Sequence, residues 1–220
     1  MTDMLNCDIL NSDYIREEMN MTLTEAVRMA AEEDSVVENM TFTDEYLDEV
    51  SGKNAEFSEC RFEKCSFSPC DIGRFYFVDC VFEKCDLSGM NFRECTFQRV
   101  SFVGCRASGL NLSESVIRNT RFAECMMPYA NFAECKLTHV KMDSCNLDGA
   151  LLSGMKHGNF RLDKCSLKNA ELYRTPLKGV DFTSCDIGGI TVEMLDLRGA
   201  VVREDQAIML AKLMGLVIKE

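Results

Sequence analysis

Large apolar residues recur along this chain at every fifth position. The run begins Phe57, Phe62, Phe67, Ile72, Phe77, Phe82, Leu87, Phe92, Phe97, Phe102 and holds its register through Phe122, Phe132, Leu147, Leu162 and Phe182 to Val202. Of the 30 positions in that register 28 are large and apolar, so the pattern is structural; Ala107 and His157 are the exceptions. Two places before each centre the residue is usually small, and 12 of the 13 cysteines fall there. A period of five matches neither the 3.6 of a helix nor the 2 of a flat strand. Each unit must therefore turn the chain while sending two side chains inward.

A second period closes the coil. Cys65, Cys85, Cys105, Cys125, Cys145, Cys165 and Cys185 follow one another at intervals of 20, as do Phe62, Phe82, Phe102 and Phe122 and the polar trio Asn91, Asn111 and Asn131. Four units thus complete one circuit, and these cysteines and phenylalanines should stack as core columns. Gly89, Gly109, Gly149 and Gly189, with Asn169, share a further column that suits a corner with positive φ.

The units CRFEK, CSFSP, CDLSG, CTFQR, ANFAE and CNLDG resemble the repeats of the pentapeptide-repeat family, and the likeness extends over about two-thirds of the chain. The resemblance implies an all-β solenoid, a right-handed quadrilateral β-helix. Residues 35–202 would make about eight coils, and stacking at about 4.8 Å gives a rod near 40 Å long. The cysteine column has two readings. As small hydrophobes the thiols pack a core; as ligands or redox groups they would need other geometry, because stacked parallel side chains suit no disulfide and C-x4-C is not a zinc spacing. Packing is the expectation, with the thiols reduced and Cys7 the reactive one.

The ends break the pattern, as solenoid caps must. Residues 1–34 form an acidic N-terminal cap, in which Thr22 and Glu25 make a capping box before a helix near 23–33. Residues 35–54 keep Val37, Phe42 and Leu47 in register, but Glu45 and Gly52 spoil it, so the first coil is expected to be degenerate. Residues 203–220 predict a helix over 205–214, started by Glu204 and Asp205 and ended by Gly215, then a short strand at Leu216, Val217 and Ile218. From Ala207 to Ile218 every residue except Lys212 is apolar or small, more than a cap requires. A two-fold dimer interface through Ile208, Leu210, Ala211, Leu213, Met214, Leu216, Val217 and Ile218 is expected, the alternative being an intramolecular cap.

Charge narrows the function. The net charge is −12, and the first 50 residues carry all of it, with 14 acids against 2 arginines. A basic nucleic-acid binder is excluded on that balance. The acid-rich start is unlike a signal or transit peptide and no apolar run is long enough to span a bilayer, so a cytoplasmic protein is expected. No nucleophile–base pair, phosphate loop or metal cluster stands in the sequence. His139 should face solvent and His157 be accommodated in the core. The reading is not an enzyme, with no cofactor and no metal.

The terminal stretch EDQAIMLAKLMGLVI, with the overall length, resembles the ending of Qnr-type members of the family. That resemblance implies a homodimeric rod that mimics duplex DNA, binds DNA gyrase or topoisomerase IV and protects it from fluoroquinolones. Many Qnr-type proteins carry loops between coils; here the unbroken register implies a loopless member. Contact residues are expected on the face centred on Ile72, Phe92, Leu112 and Phe132, where Asp71, Glu94, Glu114, Glu134, Glu171 and Glu193 point outward against Arg74, Arg93 and Arg174. The face centred on Phe97, Ile117 and Leu137 is instead basic, with Arg99, Arg118, Lys136, Lys156 and Lys178. Duplex DNA of the rod's length would carry roughly 23 negative charges, so mimicry depends on distribution. The alternative is a repeat scaffold for an unrelated protein partner.

Overall fold

The computed structural model describes residues 21–33, 35–47, 52–67, 72–213 and 215–219. Backbone pairing steps by 20 residues throughout, always parallel: Val36 with Glu56, Phe57 with Phe77, Phe97 with Ile117, and so on to Asp181 with Val201. The chain therefore winds as a four-sided rod. Face I holds the centres Val37, Phe57, Phe77, Phe97, Ile117, Leu137, His157 and Leu177; face II holds Phe42 to Phe182. Face III is centred on Leu47 to Ile187, and face IV on Ile72 to Leu172.

The four faces are built differently. Faces I and II carry short strands, such as Thr96–Gln98 and Ser101–Val103, which join in one 12-stranded sheet. Lys136–Asp143 and Lys156–Asp163 run as single strands across the shared corner. Beyond the first coils, faces III and IV keep only single bridges, among them Asp86 with Arg106 and Asn111 with Asn131. Their corners are closed by a tighter turn, the amide of Met90 donating to Leu87 and that of Ser115 to Leu112, both at 3.2 Å.

Nearly every corner residue, two places after a centre, has positive φ. Gly89 at 69° and Gly149 at 67° adopt it freely, but Glu59 at 55°, Glu94 at 59° and Tyr129 at 60° do so against steric cost. A bond to the next coil offsets that cost: the Glu59 amide donates to the Val78 carbonyl at 2.9 Å and the Glu94 amide to Ser113 at 3.0 Å. The glycine column is thus one case of a rule that holds around the rod.

Inside, the face II phenylalanines form a stack. Ring centroids lie 4.5 Å apart between Phe62 and Phe82, 4.8 Å between Phe82 and Phe102, and 4.7 Å between Phe102 and Phe122. Face I rings meet them edge-on, as Phe97 meets Phe102 at 61°. All the described cysteines are buried and free. Most donate to the carbonyl of the centre one coil below: Cys85 Sγ to Phe62 O at 3.3 Å, Cys105 to Phe82 O at 3.4 Å, Cys135 to Leu112 O at 2.9 Å. Ser115 and Thr175 fill the same slot, reaching Phe92 O at 2.9 Å and Leu152 O at 2.7 Å. The position selects a small residue that can donate, and burial pushes the thiols of Cys95 and Cys135 up to about 12, with the Glu94 charge adding to it at Cys95.

The first helix, α1 (Leu23–Glu33), buries Leu23, Ala26, Val27 and Ala30 on the open end of the rod. Its capping box forms as expected, with Thr22 N donating to Glu25 Oε2 at 2.9 Å and Glu25 N to Thr22 Oγ1 at 3.3 Å. The two irregularities of the first coil have causes. Glu45 turns its carboxylate to the Leu23 amide at the helix start, and Gly52 pairs in register with Ile72 where α1 packs closely. These departures receive the helix.

At the other end α2 (Glu204–Leu213) lies against the last coil. Gln206, buried, donates to the carbonyls of Phe182 and Cys185 at 2.9 Å each and accepts from the Arg203 amide at 2.9 Å. The expected strand at Leu216, Val217 and Ile218 is not formed: these residues are exposed and make no ladder with any other described segment, and a ladder needs a second strand. His157 also departs from its expected place in the core. It is half-buried, its Nε2 within hydrogen-bond distance of the Pro176 carbonyl, since an imidazole nitrogen cannot be left unpaired among Leu137 and Leu177.

Candidate partner-binding faces

Glu94, Glu114 and Glu134 occupy the same corner of face IV in three successive coils, each in the left-handed conformation that thrusts the side chain outward. Arginines accompany them. Arg74 Nε lies 3.0 Å from Glu94, Arg93 Nη2 lies 2.7 Å from Glu114, and Arg174 Nη2 lies 3.7 Å from Glu134. The ladder is therefore a band of alternating charge. Glu171 and Glu193 are exposed on the same face and have no ion-pair partner among the described residues. Asp71 lies outside the described residues, as do Cys7 and Met214.

Coil-to-coil pairing recurs elsewhere. Arg99 grips Asp79 through two bonds of 2.6 Å, and Lys168 lies 3.1 Å from Asp186. The neighbouring cation holds the carboxyl groups of Asp79 and Asp86 below the usual range. On face I, Arg118, Lys136, Lys156 and Lys178 are exposed without an ion pair among the described residues.

The C-terminal segment divides in two. Leu210 is buried on the rod and Ala211 half-buried beside it, as an intramolecular cap requires. Ile208, Leu213, Leu216, Val217 and Ile218 remain exposed, Val217 at 87%. Met194 and Leu195 are exposed on the last coil, adding to an apolar surface.

Two family models fall on the coils. "Pentapeptide repeat region" matches residues 75–152, and "Pentapeptide repeats (8 copies)" matches residues 145–183. This is a pentapeptide-repeat protein. No curated protein matches the chain. Among solved structures, the pentapeptide-repeat rod is similar to full-length QnrB1, described as a plasmid-mediated fluoroquinolone resistance protein. The two are 17% identical, with 83% of this chain and 100% of that one covered and a TM-score of 0.41. It is similar also to HetL of the cyanobacterium Nostoc, described as involved in heterocyst differentiation regulation, at 14% identity, 84% and 98% coverage and a TM-score of 0.33.

The described residues hold no cluster suited to a metal ion and no helix long and apolar enough to cross a membrane. What this protein offers a partner is its outer faces and its apolar end. The sequence sets Arg74, Arg93 and Arg174 on this face with the carboxylates, but does not show which of them pair. Arg93 precedes the corner and reaches Glu114 one coil on, a relation visible only once the 20-residue step is applied to pairs.

Proposed function

We propose that this protein binds a bacterial type II topoisomerase, DNA gyrase or topoisomerase IV, as a rod resembling duplex DNA, and so lowers the enzyme's susceptibility to fluoroquinolones. The observation that carries the reading is the rod itself, with carboxylates set at one corner of face IV in successive coils. The likeness of the sequence from Glu204 to Ile218 to Qnr-type endings supports it. The exposed side chains of Ile208, Leu213, Leu216, Val217 and Ile218 suit a two-fold homodimer at that end, where each copy supplies the partner strand the other lacks. A cytoplasmic site of action follows from this partner.

A second reading, a scaffold for an unrelated protein, is favoured by one feature: Arg74, Arg93 and Arg174 pair with the Glu94, Glu114 and Glu134 ladder, so face IV lacks the charge density of a phosphate backbone. Purified protein added to gyrase supercoiling, with and without ciprofloxacin, separates the two. Rescue of supercoiling is expected, and it should weaken in Glu114→Lys and Glu134→Lys. No rescue and no inhibition at micromolar protein would leave the scaffold. For the dimer, light scattering should give twice the chain mass for the intact protein and the single mass for a chain ending at Val202.

A further inference from the structure

Face I carries its charges in two blocks. Glu38, Glu56 and Asp79 stand on its first tiers, and Lys136, Lys156 and Lys178 on its last. The parallel register sets Lys136 directly beside Lys156, a like-charge pair that costs stability. Neither has a carboxylate partner among the described residues, and Glu38, Glu56 and Lys178 are likewise without an ion pair. These exposed groups are open to a partner from outside.

We propose that face I is a self-complementary surface on which a second copy of this chain docks antiparallel, about a two-fold axis lying along the strand direction between Phe97 and Ile117. Such a rotation reverses the order of the tiers and keeps each residue's place along its strand. Glu56 then meets Lys156 and Glu38 meets Lys178, both being matched positions of tiers equally far from the axis. Tyr76 meets Lys136, a cation over an aromatic ring, and Val36 meets Pro176. Val36 and Tyr76, each 44% exposed, would be covered.

No like charges coincide at these positions, whereas parallel docking of two rods would set the acidic tiers of one copy against the acidic tiers of the other, and basic against basic. An acidic protein or a nucleic acid long enough to follow the face would run from its basic block onto its acidic one. A second copy, reversed, fits both blocks at once. The contact is lateral and independent of the C-terminal end and of any topoisomerase.

The test uses the full chain. Sedimentation velocity is expected to show a species larger than the C-terminal dimer at about 20 mM salt that is lost by about 500 mM, where exposed charges are screened. Lys156→Glu with Lys178→Glu should weaken this association by about tenfold or more. Glu38→Lys with Glu56→Lys should do the same, and an equimolar mixture of the two double variants should restore it. In the unaltered protein, zero-length carbodiimide coupling should link Glu56 to Lys156. Within one rod those side chains lie five coils apart, about 24 Å, so the link can only join two molecules. A mass independent of salt, a mixture that fails to re-associate, or the absence of the Glu56–Lys156 product would each overturn the proposal. Loss of the salt-sensitive species on removing residues 203–220 would do so too, by assigning it to the apolar end.

Discussion

Each side chain here answers to the coil beneath it. Phe102 lies between Phe82 and Phe122 at 4.8 and 4.7 Å, with no space for relaxation on either side. Phe102→Ala should cost about 3–5 kcal/mol in denaturant unfolding, most of it from a cavity that the flanking rings cannot close. The cysteine slot separates two roles that burial confounds. If donation to the carbonyl below matters, Cys135→Ala should destabilise by about 1–2 kcal/mol, and Cys135→Ser by less, since Ser115 makes the same bond in the same slot. His157 is the opposite case, a polar residue at a core position. His157→Leu should raise the thermal midpoint, by a gain on the order of 1 kcal/mol, because the side chain can then point inward between Leu137 and Leu177.

At the scale of the element, the stability of each end depends on a few polar anchors. Gln206 makes three hydrogen bonds that join α2 to the last coil. Gln206→Ala should free the helix, at a cost of about 2–3 kcal/mol, and amide exchange should quicken across 204–213 while the central coils are unchanged. These anchors mark the limit of what the sequence discloses. The five- and 20-residue periods disclosed the coil, its four faces and the buried columns, because each is a local rule repeated many times; capping signals disclosed both helices to within a residue. Glu45 looked like a defect since its partner, the Leu23 amide, belongs to another element and to no repeat. Leu216 to Ile218 looked like a strand because composition signals propensity, yet a strand exists only with a neighbour. The ion pairs of Arg74, Arg93 and Arg174 with the glutamate ladder were hidden for the same reason: a pairing across coils is a relation between positions, not a property of either.

For the molecule as a whole, the buried thiols set a limit on alkaline stability. Nine of them are raised, Cys145 and Cys165 to about 11 and Cys85, Cys95, Cys105, Cys125 and Cys135 to about 12, by burial and by neighbouring thiols of the column, with Cys80 and Cys185 raised further. A group whose folded pKa is raised contributes stability below its unfolded value, about 8.5 for cysteine, and loses it as pH rises towards the folded one. Since the unfolded chain releases these protons first, the thermal midpoint should be level from pH 6 to 8 and lower by about 10 °C or more near pH 9.5, by circular dichroism. A variant with Cys105, Cys125 and Cys145 changed to Ala should keep more of its midpoint at that pH. Midpoints equal at pH 7 and 9.5 would count against buried, protonated sulfur.

The circuit of 20 residues also makes the chain a counter. A duplication of one whole circuit, such as 96–115, would lengthen the rod by about 4.8 Å and leave every later residue on its own wall. An insertion of five residues keeps the core intact but advances everything downstream by a quarter-turn, moving Lys136 and Lys156 off the wall that bears Glu38 and Glu56. Among descendants of such a gene, length changes in steps of twenty are compatible with an inherited binding surface, and changes in steps of five are compatible only with an inherited fold.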